Sequence, residues 1–341
     1  MKRLSAKRRT YLMRKAAKRQ RRWRQAYRKR TRRGHASGKM SRRITRICAP
    51  EVFYLGQEDA RSALIEFLER IEHVLEAGGR VMIRFDKTRR LQPCGTLLFV
   101  AKLDTLLIRY AGRISSDYPA DGIVHELFQH IGVLRLLGNS SQVQVGAESV
   151  RDWYHKKGDK ADTSEFTSLF AQYRSSLGNG VQEGLYESMS EAITNVIQHA
   201  YEGLAHNNRT GWWMFAQQKD NRLVVVVCDL GIGIPRSINP KLDEKIRASL
   251  LYRKKKDSWF LTVALGQGRS RTFLPNRGKG LQEMLSFVKS AQGGLFSIYS
   301  LAGLFAYEAG KDERPMYRDY RAPIPGTLVQ WTIPLIVQAD G

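Results

Sequence analysis

Apolar residues return at two different periods along this chain, and the changes of period outline its elements. Between residues 61 and 77 they fall at Leu64, Phe67, Leu68, Ile71 and Leu75, the spacing of one helix face, and Gly78-Gly79 ends the run. Residues 81–85 predict a short strand, 96–108 a second helix, 113–116 a short strand, and 124–137 a third helix before Gly138-Asn139. Alternating strand and helix over 48–140 is the pattern of helices packed on a sheet. Polar residues 139–163 mark a boundary. Beyond it, Leu185, Met189, Ile193, Ile197, Ala200 and Leu204 predict a helix over 181–204 with one face against a sheet. The β-branched run 223–228 and residues 328–333 predict strands, and 282–290 a further helix.

Charge changes the picture at one end only. The net charge is +25, but 21 of the 57 Lys and Arg lie in residues 1–50, which hold no Asp or Glu. The other 291 residues carry 36 cations against 32 anions. Residues 1–47 are therefore read as a basic extension. It has no Pro or Gly from Leu4 to Arg33 and is rich in helix-forming Arg, Lys, Ala and Gln. Repulsion between neighbouring cations opposes a helix in isolation, so disorder alone and helix on contact with a polyanion are expected. Such a segment attracts nucleic acid through counterion release. Arg8, Arg9, Arg19, Arg21, Arg22, Arg24, Arg28 and Arg30 are the expected contacts, with Trp23 (and Tyr11 and Tyr27) able to stack on bases. A solvated tail and a protein-docking arm are the alternatives. A membrane surface fits less well, because the apolar face is thin and broken by arginines.

Apolar residues make up 42% of the chain, enough for a sizeable core. No apolar run reaches the roughly 18–20 residues that span a bilayer, and the N-terminus has no apolar signal core. Cys48, Cys94 and Cys228 are far apart and lack metal-ligand spacing. Buried free thiols in a reducing cytoplasm are expected.

Candidate chemistry gathers in four short segments. They are Glu191-Ala-Ile-Thr-Asn195-Val-Ile-Gln-His199-Ala200, Asp229-Leu-Gly231-Ile-Gly233-Ile-Pro235, Arg277-Gly278-Lys279-Gly280-Leu281 and Gly326-Thr327. Glu187, Glu191, Asn195 and His199 recur every four residues, each about 40° from the last on a helix, and form one polar stripe. Mg2+ prefers oxygen ligands and keeps several waters, so a side-chain amide such as Asn195 can supply one ligand while phosphates supply others. A carboxylate one turn earlier, Glu191, can orient and deprotonate a water or hydroxyl attacking a γ-phosphate. Glu187 is read as solvated or ion-paired, and His199 as packing or supporting. Asp229 ends a strand, where its carboxylate can accept a hydrogen bond from an adenine amino group. Gly231 and Gly233 let the backbone pass close to a purine. Gly278, Gly280 and Leu281 lead into a helix whose free N–H groups form an anion site. Arg277 and Lys279 can add charge there, although a solvated Lys279 is equally open. Thr327 can bridge to Asp229 and the base through water. No GxxxxGKS or GxxxxGKT run occurs, so this is not a Walker P-loop.

Four segments in this order resemble the ATP-binding domain of the GHKL superfamily, which includes gyrase, MutL, the histidine kinases and the anti-sigma-factor kinases. The resemblance covers residues 150–338. It implies an α/β fold, a two-layer α/β sandwich of Bergerat type, that takes ATP and Mg2+. Asn195 would hold the metal and Glu191 would be catalytic. Asp229, Gly231, Gly233, Arg277, Gly278, Lys279, Gly280, Leu281 and Thr327 would surround the nucleotide. It also implies a mobile lid over 236–276, with Gly266 and Gly268 as hinges and Arg271 on phosphate; a charged surface loop is the other reading. Residues 48–140 resemble, by element order, the STAS-type domain of anti-sigma-factor antagonists, a surface for a protein partner. The antagonists carry a phosphorylatable Ser where this chain has Leu91-Gln-Pro-Cys94-Gly-Thr96, which counts against a phosphoswitch.

Three functions follow as expectations. The first is an ATP-gated ATPase that associates with nucleic acid through its basic segment. The second is a serine/threonine protein kinase of the anti-sigma-factor type acting on a STAS-like partner. The third is a non-catalytic ATP sensor. His125 and His130 lie on different faces of one predicted helix, which weighs against a histidine kinase. ATP-dependent dimerisation is left open.

Overall fold

The computed structural model describes residues 44–139, 153–160, 179–204, 211–238, 256–266, 279–291, 293–310 and 314–335, with Val150, Phe166, Phe170, Tyr173 and Leu177 between them. The chain is mixed α/β. No helix among the described residues is long and apolar enough to cross a membrane.

The first part runs β1 (Ile44–Cys48), β2 (Val52–Phe53), α1 (Glu58–Glu76), β3 (Arg80–Arg84), β4 (Arg90–Leu91), α2 (Pro93–Arg109), β5 (Ile114–Ser116), α3 (Gly122–His130) and α4 (Val133–Leu136). Strands β1, β3 and β5 form a parallel sheet in the order β1-β3-β5, and β2 pairs with β4. The second part runs β6 (Trp153–Gly158), α5 (Asn179–Asn195), a π-helical turn (Val196–Ala200), β7 (Trp212–Lys219) and β8 (Arg222–Asp229). It continues through α6 (Ile234–Ile238), α7 (Asp257–Ala264), α8 (Lys279–Ser290), β9 (Leu295–Ser300), β10 (Gly303–Glu308), β11 (Met316–Asp319) and β12 (Thr327–Pro334). Its seven strands form one sheet in the order β11-β10-β9-β12-β8-β7-β6, antiparallel throughout.

Both faces of this sheet are buried along β7, β8, β9, β10 and β12, while the edge strand β11 is exposed, and the period of two in each strand decides which residue goes where. Trp212, Met214, Ala216, Leu223, Val225, Val227, Val329, Trp331 and Ile333 join one core with α5 and α8. Their neighbours Trp213, Phe215, Val226, Cys228 and Leu328 join the opposite core, which is continuous with Leu97, Leu98, Val100 and Ala101 of α2. The segments 48–140 and 150–338 thus share one hydrophobic core across the sheet. Polar contacts fasten the same face. Asp104 of α2 accepts from Trp213 Nε1 at 3.3 Å and pairs with Lys157 Nζ at 2.7 Å, and His130 Nε2 lies 2.8 Å from the Trp153 carbonyl.

Several expectations change. Residues 44–47, assigned to the basic extension, belong to β1: Thr45 and Ile47 pair with Val81 and Ile83, and the alternation is hidden among arginines. The helix expected over 124–137 is two helices, split where Gly132 takes the left-handed region at φ 79°. The helix expected to reach 204 ends at Ala200 in a π-helical turn. That wider turn rotates the register, so Ile197 points outward, 41% exposed, while Val196 and Ala200 enter the core. Cys48 is exposed, whereas Cys94 and Cys228 are buried free thiols. Burial pushes the Cys94 thiol up to about 12 and raises Cys228 well above its usual value. The contacts expected of Arg8 to Arg30 lie outside the described residues, as do Arg271, Arg277, Gly268 and Gly278.

Part of the segment expected as a mobile lid is docked. Phe260, Leu261, Val263 and Ala264 of α7 are buried. Asp257 accepts the Ala302 N–H at 2.9 Å, and Asp319 accepts the Ser258 N–H at 3.1 Å. A helix with carboxylate ties at its first turn thus packs against β10 and β11 at the sheet edge.

Candidate functional site

Among the described residues, most of those singled out in the sequence converge at one end of the sheet, on the α5/α8 face. β8 carries Leu223, Val225 and Val227 inward on that face, so the same parity delivers Asp229 there at the strand end. Register aligns four strand ends in a row: Trp212 opposite Asp229, Asp229 opposite Thr327, and Thr327 opposite Ser300. Asp229 is buried, and burial raises its pKa to about 7. Backbone N–H groups of Gly231 (2.7 Å to Oδ1) and Thr327 pull the other way and stabilise the carboxylate.

Glycines make the close approaches. A Cβ at Gly231 would collide with the Ala200 carbonyl, which also accepts the Ile232 N–H at 2.7 Å. The glycine turn after β8 therefore sits directly against the end of the π-helical turn. Gly326 has φ 69°, and a side chain there would strike the Asp229 backbone. Tyr201 staples the same corner: its hydroxyl donates to the Gly211 carbonyl at 2.6 Å and accepts the Leu230 N–H at 3.2 Å.

Helix α5 supplies the second group. Asn195 Nδ2 donates to Glu191 Oε1 at 3.1 Å, one helical turn away. That bond turns the amide nitrogen toward the carboxylate, and the amide oxygen is the atom left to act as a ligand. Helix α8 supplies the third. A Cβ at Gly280 would overlap the Glu191 carboxylate, so only glycine lets the first turn of α8 come this close. The unpaired N–H groups of a helix N-terminus favour negative charge.

These groups line one cavity of about 300 Å³, at the lower end of small-molecule sites. Glu191, Asn195, His199, Asp229, Lys279 and Thr327 are among its polar walls. Val227, Ile238, Ala264, Met284 and Val329 are among its apolar ones. Gly233, Gly280 and Leu281 also reach it, whereas Gly231 sits behind the wall against Ala200. Glu187 is exposed and away from it. Among the described residues, no group of three or more His, Cys, Asp and Glu is placed to hold a metal ion.

Ser300 and Tyr201 were not foreseen. Ser300 accepts the Ile234 N–H at 2.9 Å and bonds Thr327 Oγ1 at 2.9 Å. It carries no local motif; its only signal is register, which places it beside Thr327. Comparison with models of known protein families gives no match, and comparison with curated proteins gives no significant match.

Proposed function

We propose that the cavity binds ATP with Mg2+, and that the chain is a GHKL-type ATPase whose basic N-terminal segment associates with nucleic acid. The carrying observation is the convergence of Asp229, the Glu191–Asn195 pair and the start of α8 on one cavity. Asp229 accepts the adenine amino group, which guanine lacks at that position. Thr327 and Gly233 flank the base. The N-terminus of α8, with Lys279 beside it, receives the phosphates. The amide oxygen of Asn195 fits a metal that takes its other ligands from phosphate and water, which suits a donor set with no carboxylate cluster. Mg2+ would supply charge neutralisation on the phosphate oxygens. Glu191 takes the proton of the attacking water.

A Bergerat-type sandwich is supported by helices α5 and α8 lying on the cavity face of the antiparallel sheet. A STAS-like origin for the first part rests on its alternation of strands and helices. Transfer to a protein hydroxyl would use the same Glu191. Within this chain, the position of the antagonists' phosphorylated residue offers no acceptor: Thr96 is fully buried, and the Cys94 thiol lies 2.7 Å from Gln330 of β12. Transfer to that position within this chain is therefore disfavoured, and hydrolysis or transfer to a separate partner is what the assay below tells apart.

The test is turnover of radiolabelled ATP by the full chain, by Glu191→Ala and by a truncation that removes residues 1–43 and keeps β1. Free phosphate from the native chain and none from Glu191→Ala is expected, with ATP still bound by the variant. Nucleic acid should bind the full chain in a salt-dependent way and the truncation weakly. A native chain that binds no ATP sinks the proposal.

A further inference from the structure

One turn of the large sheet joins the purine end of the cavity to the unit on its far face. On the cavity side, the Ser300 hydroxyl donates to the Gly326 carbonyl at 3.1 Å, so Thr327 is the donor in the Ser300–Thr327 pair. Leu301 follows in the left-handed region at φ 51°, and its side chain abuts Gly233, where a Cβ would lie 2.9 Å from Leu301 Cγ. On the far side, the Leu301 carbonyl accepts from Arg61 Nη2 of α1 at 2.6 Å and from the Ile324 N–H at 3.0 Å. Arg61 Nε donates to the Ala322 carbonyl at 2.7 Å, and the guanidinium lies 4.4 Å from the Tyr320 ring centre. One side chain thus ties the turn after β9 to the loop before β12. Both segments carry purine-end residues: Ser300 and Leu301 on one, Gly326 and Thr327 on the other.

Arg61 is fully buried, and burial draws its pKa down to about 10, so it stays charged at neutral pH. Its Nη1 is buried without a hydrogen-bond partner. A buried charge is a poor way to pack two units together, since an apolar side chain of similar size often does as well or better. A planar fork of donors is what two carbonyls on separate segments require.

We propose that Arg61 is a positioning residue for the nucleotide cavity: from the far face of the sheet it sets the separation of the two segments that hold the purine, and the seating of α1 thereby controls nucleotide affinity. This rests on the reading of the cavity as an adenine-nucleotide site. Coupling of this kind is reciprocal, so nucleotide should also steady α1.

Binding of ATP, GTP and inorganic triphosphate to the full chain, to Arg61→Met and to Asp104→Asn tests it by calorimetry. Asp104→Asn loosens the same face away from the turn and is the control. Arg61→Met should lose about tenfold in ATP affinity, the scale of one charge-assisted hydrogen bond, with triphosphate affinity unchanged and the preference for ATP over GTP narrowed. Asp104→Asn should change none of these. Equal losses for ATP and triphosphate, or an unchanged ATP affinity and preference in folded Arg61→Met, would overturn the coupling. Should Arg61→Met fail to fold, hydrogen exchange on the native chain decides: ATP should slow exchange at Ile324 and along α1, and unchanged exchange there overturns the proposal. A native chain that ignores ATP overturns the cavity reading itself, a result distinct from a native chain that binds ATP beside an indifferent Arg61→Met.

Discussion

The two faces of the seven-stranded sheet are built from the same kinds of residues and put to different uses. Met214 and Phe215, Val225 and Val226, or Leu328 and Val329 are adjacent in sequence, and each pair divides between the faces. On one face α5 and α8 cover the strands but stop short at one end, where Asp229 and Thr327 meet a cavity. On the other, α2 lies directly on β7 and β8. Its polar contacts, such as Asp104 with Trp213, consolidate packing. Burial alone does not distinguish a site from a core; an opening at a strand end, lined by groups with unspent hydrogen-bonding capacity, does.

The strongest way to break the contrast is to remove volume from the closed face. Phe215 is fully buried, with Trp153 and His155 edge-on at 5.2 and 5.0 Å between ring centres. Phe215→Ala should cost about 3–5 kcal/mol in denaturant unfolding, while the folded variant keeps native ATP affinity. A matched loss of affinity in the folded variant would show that the faces are not separable. The complementary change on the open face is Glu191→Gln. It preserves shape beside Gly280 and the bond from Asn195, so stability and ATP binding should hold. Turnover should fall by about 10²-fold or more. Unchanged single-turnover rates would remove Glu191 from the chemistry.

A third substitution sharpens the contrast at the strand end. Gly326→Ala places a side chain at φ 69° and against the Asp229 backbone. Left-handed strain of this kind costs about 1–3 kcal/mol. The thermal midpoint should fall and ATP binding should weaken together, because Gly326 lies between Thr327, the first residue of β12, and its cross-strand partner Asp229, the last residue of β8. A variant that melts earlier but binds ATP normally would dissociate Gly326 from the cavity.

What the sequence made legible follows the same division. Asp229, Asn195, Glu191 and Thr327 could be named because the four segments that carry them stand in the order of the GHKL superfamily; the polar stripe or the Gly-Thr pair alone would not have singled them out. The covering of the second face was harder to read, although the unbroken apolar run 223–228 carried the signal, since strands buried on both faces lose their polar alternation. Arg61 was illegible. It stands on the apolar face of a predicted helix, three residues before Leu64 and seven before Leu68, where an arginine reads only as a break in the pattern, and its acceptors, Leu301 and Ala322, lie 240 and 261 positions away. Strand β1 was lost in the basic segment, because only its partner β3 shows that Thr45 and Ile47 alternate inward. The π-helical turn left no trace in the spacing, yet it ends α5 where the Asp229 turn docks. Turns of that type recur at functional sites.

The smallest effect concerns proton occupancy at Asp229. Burial raises this carboxyl from an ordinary 3.8 to about 7, so the folded chain holds a proton there that the unfolded chain has released. The sign follows from linkage: the stability of the protonated carboxyl is fully present below the unfolded value and is lost as pH rises through about 7. ATP should act in the opposite sense. An adenine amino group donates best to the ionised form, so affinity should rise from pH 6 to pH 8 by about tenfold, the change in ionised fraction across a pKa near 7. Asp229→Asn keeps the shape and one acceptor but cannot ionise. Its affinity at pH 8 should match that of the native chain at pH 6 and stay level between them. Calorimetric titrations at the two pH values decide it, and a native affinity that does not move with pH would remove the Asp229 carboxylate from base recognition.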